Sequence, residues 1–287
     1  MAADPFLPWL FAVKLGLYAA CLAAGGFGLH VASGMIAQDQ SRPALRTAAG
    51  LGLAALVFAA LRIGIVNAQL GDGWSSVLDA GSFHWSWRVL GHSTLAIVAG
   101  AAIIALAWIV ATPAIAALGA VGLAASFALT GHSEALASPG PAPWAVGVHV
   151  LIAAYWATAP FILWPGRNVS DERLVHRLQR FSTLATWAIP ILFLLGLWLL
   201  WRLAGGVEAI FASGYGRLLL AKFAVALVAL AMGALNKLRL TQHIEAGRDG
   251  ARSALRWTLI VEGAVFIAAL VLVDLATTVT GPPDASM

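Results

Sequence analysis

Two copies of the tripeptide Gly-His-Ser have the residue types and the spacing best suited to chemistry in this sequence. Their histidines, His92 and His132, lie about 40 positions apart, and each is about 20 residues from a short turn at 111–113. A helix rises about 1.5 Å per residue, so two antiparallel helices would place both imidazoles at one level, roughly 30 Å from the turn. Imidazole suits copper and zinc. The repeat therefore predicts a metal site.

Further side chains could complete this site. His149 begins a later apolar run, His84 lies in the segment ahead of the first tripeptide, and Glu134 follows the second. The serines of the two tripeptides could hydrogen-bond the imidazoles and fix their orientation. The predicted ligands are His92, His132 and His149, with His84 or Glu134 in addition, and the predicted orienting hydroxyls are those of Ser93 and Ser133.

The composition indicates which elements position these residues. The chain of 287 residues is 61% hydrophobic and 10% charged, with a mean hydropathy of +0.87, which excludes an ordinary soluble domain. Uncharged runs such as Thr183–Trp201 are too long for buried helices of a soluble protein, and they are continuous rather than alternating. We therefore predict an all-α, polytopic integral membrane bundle that forms a single transmembrane domain over residues 1–287. The sequence has no dinucleotide-binding glycine fingerprint, P-loop or zincin motif, and no basic arm suited to nucleic acid.

Turn and breaker residues divide the chain into eight predicted transmembrane helices. Basic residues cluster in the loops after the first, fifth and seventh helices, and only three lie on the opposite side, close to helix ends. By the positive-inside rule the basic loops are cytoplasmic, so both termini are predicted to be periplasmic. The predicted helices are 8–34, 44–66, 88–110, 113–130, 144–164, 183–201, 217–238 and 256–279.

Several polar side chains lie within the predicted helices, where ionisable groups are costly and often functional. Lys222 and Asp274 have similar depths in the last two helices and could form a structural ion pair or line an ion pathway. Lys14 and Arg62 could extend to the membrane surface. Asn236 and Glu262 are further pathway candidates, and His30, Met35 and Met232 could form an inner exit site.

Two alternatives to a transported metal ion remain open at this point. His92 and His149 could ligate a heme between facing helices, which would make the protein a b-type membrane cytochrome or electron carrier. A stacked pair of hemes would need matching histidines deeper in the third to fifth helices, which have none. The second alternative is a copper-binding sensor or assembly factor that does not transport.

The sequence resembles the CopD family of copper-resistance membrane proteins over nearly its whole length. The resemblance of the C-terminal half, 166–287, rests on a moderately specific run of residues, and the N-terminal half, 1–165, carries the histidine cluster. The residues concerned are Arg180-Phe181-Ser182, Gly196, the stretch Tyr215–Lys222, Asn236 and Glu262-Gly263, together with Thr130-Gly131-His132-Ser133 and His149.

The resemblance implies a multi-pass protein of the bacterial inner membrane that handles copper in homeostasis or resistance and is not an enzyme. It implies transport from periplasm to cytoplasm, with a separate periplasmic donor of the CopC type and the lipid bilayer as partners. Neither the residues nor the resemblance fixes the copper oxidation state. One departure is that Ala157 follows Trp156, where the family commonly has Trp-x-Gly.

Overall fold

The computed structural model describes residues 4–131, 138–167 and 169–280. The chain is about 86% helical and has no strand in the described ranges, which confirms the predicted all-α class. A 3₁₀ turn at Trp74–Ser76 precedes the third helix. The helices are α1 Leu7–Ala32, α2 Gln38–Leu70, α3 Ala80–Val110, α4 Pro113–Ala128, α5 Ala142–Ile162, α6 Asp171–Ala204, α7 Val207–Ala212, α8 Gly214–Leu235, α9 Thr241–Glu245 and α10 Ala251–Leu275; π-helical segments follow α8 at Asn236–Leu240 and α10 at Ala276–Thr280.

Seven of these helical segments are long and apolar enough to cross a membrane. The segment Gly214–Glu245, which includes α8 and α9, is one of them. The remaining apolar helix, α4, has 16 residues. At about 1.5 Å per residue it is shorter than a hydrocarbon core of about 30 Å. The count of eight transmembrane helices and the periplasmic location of the termini therefore stay predictions.

Small residues allow α1 to lie in the middle of the N-terminal half. Helix α1 packs against α2, α4 and α5. A Cβ atom on Gly28 would lie 3.1 Å from the carbonyl oxygen of Ala116, and one on Gly25 would contact Ala120. Both alanines are almost completely buried. The four-residue alanine spacing along α4 predicts such a close helix approach, and the structure confirms it.

A small residue also allows α3 and α4 to pack closely in their hairpin. A Cβ atom on Gly100 would lie 2.7 Å from the backbone nitrogen of Leu123 and 2.9 Å from the carbonyl oxygen of Gly119. Both distances are shorter than any real contact to a methyl group, so only glycine permits this separation of the two backbones. Helix α3 is thereby held to α4 on one side and to α2 on the other.

Helix α3 begins earlier than the hydrophobic pattern predicts. Asp79 caps its N-terminus, because the Oδ2 atom accepts a hydrogen bond of 2.8 Å from the backbone N–H of Ser82. His84 therefore lies in the second turn of α3, whereas the sequence predicts a loop at this position. The polar and aromatic residues of this segment concealed the helix start, since the apolar run begins only after them.

Contacts between the end of α1, the N-terminal part of α6 and the start of α10 define one end of the bundle. The Nε atom of Arg180 donates a hydrogen bond of 3.0 Å to the carbonyl oxygen of Ser33, and Arg252 forms an ion pair with Asp171, with Nε 2.7 Å from Oδ1. These contacts lie beside three loops that the charge distribution assigns to one side. We call this the basic end, which carries the loops 33–37, 163–170 and 246–250.

The hairpin geometry generates a stability prediction. Gly100→Ala should lower the free energy of unfolding by about 1–3 kcal/mol, because the added methyl group would push the α4 backbone away. Thermal unfolding of the purified protein in detergent measures this. Gly50→Ala is the matched control, since no atom lies within 4 Å of its Cβ position. Equal melting temperatures for the two variants would contradict the close packing of α3 on α4.

Candidate functional site

The two predicted ligands on α3 lie on its exposed surface. His84 and His92 are both exposed, whereas Ser86 and Leu90 on the same helix are buried. Ser93 is also buried, since adjacent residues of a helix project about 100° apart. Its hydroxyl therefore faces into the bundle while His92 faces outward, and the expectation that Ser93 orients the His92 ring is wrong.

His149 is half-buried on α5, and its ring faces α6. Its Nδ1 atom is 3.2 Å from the carbonyl oxygen of Leu192. A carbonyl can only accept, so Nδ1 carries the proton and the lone pair is on Nε2. A Cβ atom on Gly196 would lie 3.2 Å from Cε1 of the ring, so this glycine allows the imidazole to lie against α6. The charged side chain near enough to influence the His149 ring electrostatically is that of Lys222 on α8.

The predicted outer site is described only in part. His132, Ser133 and Glu134 lie outside the described residues, so their position relative to the other ligands stays a prediction. Helix α3 packs mainly on α2 and α4, whereas α5 packs mainly on α1, α4 and α6. Within 4–131, 138–167 and 169–280, no group of three or more His, Cys, Asp or Glu side chains is arranged to hold a metal ion.

The predicted ion pair between Lys222 and Asp274 is wrong. Asp274 instead pairs with Lys14 of α1, with Nζ 3.4 Å from Oδ1, and both side chains are buried. The expectation that Lys14 extends to the membrane surface is therefore wrong as well. The reason is that the end of α10 packs against α1, so the aspartate faces α1 and not its neighbour in sequence, α8.

Asn236 and Glu262 come together as a buried polar cluster. Asn236 Nδ2 donates a hydrogen bond of 2.7 Å to Glu262 Oε1, and Thr258 Oγ1 donates one of 2.5 Å to Asn236 Oδ1. Thr241 Oγ1 donates to the carbonyl oxygen of Asn236 at 2.9 Å. Asn236 begins the first π-helical segment, and its carbonyl oxygen also accepts a hydrogen bond from the backbone N–H of Thr241. The cluster thus joins α10 to the end of α8.

This cluster faces a cavity of about 340 Å³ between α5, α6, α8 and α10. Its wall is mostly apolar and includes the aromatic residues Trp156, Phe181 and Phe193. Lys237 reaches it from the basic end, and its Nζ donates a 2.8 Å hydrogen bond to Thr186. Among the described residues, Glu262 and Asp274 are the buried acids, and Asp274 has a lysine partner. Glu262 is therefore the buried carboxylate that has no ion pair. Lining residues include Trp156, Phe181, Thr186, Asn236, Lys237 and Glu262.

The predicted inner exit site is only partly assembled. His30 is fully buried, its ring stacks on Tyr155 at 4.3 Å, and its Nε2 donates a 2.9 Å hydrogen bond to the Tyr155 carbonyl. Nδ1 has no hydrogen-bond partner in the part of the chain that is described. Met35 is buried just beyond the helix end. Met232 lies on α8, which packs mainly on α7, α10 and α6, so the histidine is paired with α5 and not with this methionine.

The fold and this cluster define a multi-pass helical membrane protein with a polar centre in its C-terminal half. Residues 175–276 match the family model CopD, described as copper resistance protein D. The match begins in α6, ends just after α10, and includes both Asn236 and Glu262. The family resemblance found in the sequence is thereby confirmed for this segment. No curated protein and no solved structure matches the chain.

Sequence reasoning missed some members of the buried polar groups. Thr258 is four residues before Glu262, a spacing that places both on one helix face and could have indicated its role. Thr278 is four residues after Asp274 and donates a 2.8 Å hydrogen bond to its Oδ1, so the same spacing could have indicated it. Thr277 had no such signal, because it faces Lys14 only where the chain becomes π-helical. Helix periodicity does not anticipate that change of turn.

The polar cluster generates a second prediction. Glu262→Leu should destabilise the protein by about 1–3 kcal/mol, because it leaves the buried Asn236 amide without its acceptor. Glu262→Gln is the matched variant, since its carbonyl oxygen can still accept that hydrogen bond. Thermal unfolding in detergent should show a much larger loss for leucine than for glutamine. Similar losses of stability in the two variants would mean that the hydrogen bond from Asn236 contributes little to stability.

Proposed function

We propose that this protein binds copper and moves it across the bacterial inner membrane from periplasm to cytoplasm, in copper homeostasis or resistance. The observation that carries this proposal is the match of residues 175–276 to copper resistance protein D. Copper is the cargo here, and its oxidation state is left open. The apolar helices that are long enough to cross a membrane support a location in a lipid bilayer.

In the proposed mechanism, copper first binds imidazoles at the end of the bundle opposite the basic end. His92 lies on α3 about one turn inside the predicted start of the third transmembrane helix, near the level at which a periplasmic donor of the CopC type would deliver copper. His149 is held against α6, and its Nε2 lone pair is free of the hydrogen bond that Nδ1 makes to Leu192. His132 is the third proposed ligand, with His84 or Glu134 in addition and Ser133 as the hydroxyl that orients His132.

Deeper in the membrane, the proposed route passes the cavity at Glu262. A cation in a low-dielectric interior needs a negative or strongly polar partner. Glu262 supplies a carboxylate that no buried cation neutralises, and Asn236 and the nearby threonines supply further oxygen ligands. The cavity extends toward the basic end through Lys237 and Thr241. This position suits a last binding point before release.

Copper uptake into proteoliposomes tests the route. The parent protein should accumulate copper, and Glu262→Gln should lose most of the uptake, because it removes the buried negative charge while keeping the hydrogen bond to Asn236. Glu208→Gln is the matched control, since Glu208 is exposed on α7. Uptake in Glu262→Gln equal to that of the control would exclude this carboxylate from the route.

Metal analysis of purified protein tests the ligands. His132→Ala and His149→Ala should each lower copper affinity by about 10–100-fold, as loss of metal-site partners does elsewhere. His176→Ala is the control, because this histidine is exposed near the start of α6 at the basic end. Unchanged affinity in both variants would overturn the ligand assignment. A Soret band in the purified protein would instead indicate heme.

A further inference from the structure

A lysine amine is buried where α1 packs against the end of α10. Lys14 has only 5% of its surface exposed and Asp274 has none. The Lys14 Nζ atom donates hydrogen bonds of 3.0 Å to Thr277 Oγ1 and 2.6 Å to Thr278 Oγ1, both shorter than its 3.4 Å distance to the Asp274 carboxylate. The amine is therefore held mainly by neutral oxygen acceptors, which a neutral amine can also contact.

The charges in this cluster do not balance. Arg62 of α2 lies near enough to influence both Lys14 and Asp274 electrostatically, so two basic side chains and one carboxylate make up this cluster. Two polar atoms, Asp274 Oδ2 and Arg62 Nε, are buried and make no hydrogen bond within the described residues. A net positive charge in an apolar bundle is costly. Loss of one proton from Lys14 would leave the arginine and the aspartate as a balanced pair.

The surroundings single out Lys14 as the group that can exchange this proton. Arginine keeps its charge in proteins, so Arg62 does not take part. Tyr18 lies beside the amine, with its ring centre 5.9 Å from Nζ. Helix α4, which also packs on α1, carries no ionisable side chain. The ionisable groups around the cluster are Tyr18 and Cys21 of α1, Arg62 of α2, Tyr215 of α8 and Asp274 of α10.

The cluster also joins the two halves of the molecule. Lys14 and Arg62 belong to the N-terminal half, whereas Asp274 lies near the end of the segment that matches copper resistance protein D. A change in the charge of Lys14 therefore alters the attraction between α1 and α10 directly. Any movement of one half against the other during transport would be sensitive to whether this amine carries its proton.

We propose that the Lys14–Asp274 cluster is a proton-exchange site that couples copper movement to proton movement. The Lys14 ammonium gives its proton to water at the end of the bundle opposite the basic end and becomes a neutral amine, and the reverse step restores it. Each proton released offsets one positive charge that copper brings into the bundle. The coupling rests on the proposed transport function, whereas the proton exchange itself does not.

The proton exchange is tested without copper. Thermal unfolding in detergent is followed from neutral to alkaline pH for the parent and for the variants Lys14→Arg and Lys14→Met. Neither variant can exchange a proton at this position. An unfolded lysine keeps its proton up to a pH of about 10. The proposed exchange requires the folded amine to lose its proton at a lower pH than this. In that pH range the unfolded parent binds more protons than the folded parent, so the stability of the parent should rise with pH relative to both variants. If arginine does not fit, methionine gives the same comparison.

The control for this measurement is Lys237→Arg, which changes an exposed lysine at the basic end. Its pH dependence should follow that of the parent. If the Lys14 variants also follow the parent, the amine does not exchange a proton in the folded protein, and the cluster is only a structural contact.

The coupling is tested in proteoliposomes that enclose a pH-sensitive dye. A copper gradient should drive protons in the direction opposite to copper in the parent, and this proton movement should be lost in Lys14→Arg. Copper uptake without proton movement in the parent would overturn the coupling. Absence of copper uptake in the parent would overturn the proposed function and the coupling, while the copper-free measurement would still decide the proton exchange.

Discussion

A charged group inside an apolar helical bundle must find its partner within that bundle, and this constraint determines where the polar side chains of the protein lie. Lys14 reaches from α1 to Asp274 on α10, and Glu262 on α10 accepts a hydrogen bond from Asn236 at the end of α8. Both acids belong to the segment that matches the copper resistance family. Helix α10 therefore supplies the buried negative charge for both halves of the molecule.

Close backbone packing gives these contacts a fixed position. Helix α1 approaches α4 through Gly25 and Gly28 against Ala116 and Ala120, so the buried amine of Lys14 is carried by a helix that has little freedom to shift. Helix α8 differs, because only a small part of its most apolar stretch is buried within the molecule. The N-terminal half thus forms a tightly packed body, against which the more open C-terminal helices carry the cavity.

The helical class and the positions of the apolar helices could be predicted from the sequence because hydrophobic run length depends only on the local chain. The partner of each buried charged group could not be predicted in this way. Lys222 and Asp274 have matching depths on consecutive helices, yet depth alone does not say which face of α10 the aspartate occupies, and Lys14 is its partner. The start of α3 was hidden because Asp79 caps a segment that is polar in composition. The sequence indicates Asn236 and Glu262 as polar groups within the helices, and the structure joins them by a hydrogen bond.

Both buried polar clusters coincide with π-helical segments, at Asn236–Leu240 and Ala276–Thr280. A π turn holds about one residue more than an α turn over the same rotation, so loss of a single residue there would restore a regular helix and leave the residues beyond it facing their present neighbours. The same loss in a regular α-helix would rotate everything beyond it by about 100°. At these two places the chain can therefore shorten by one residue without changing how the segment that follows packs.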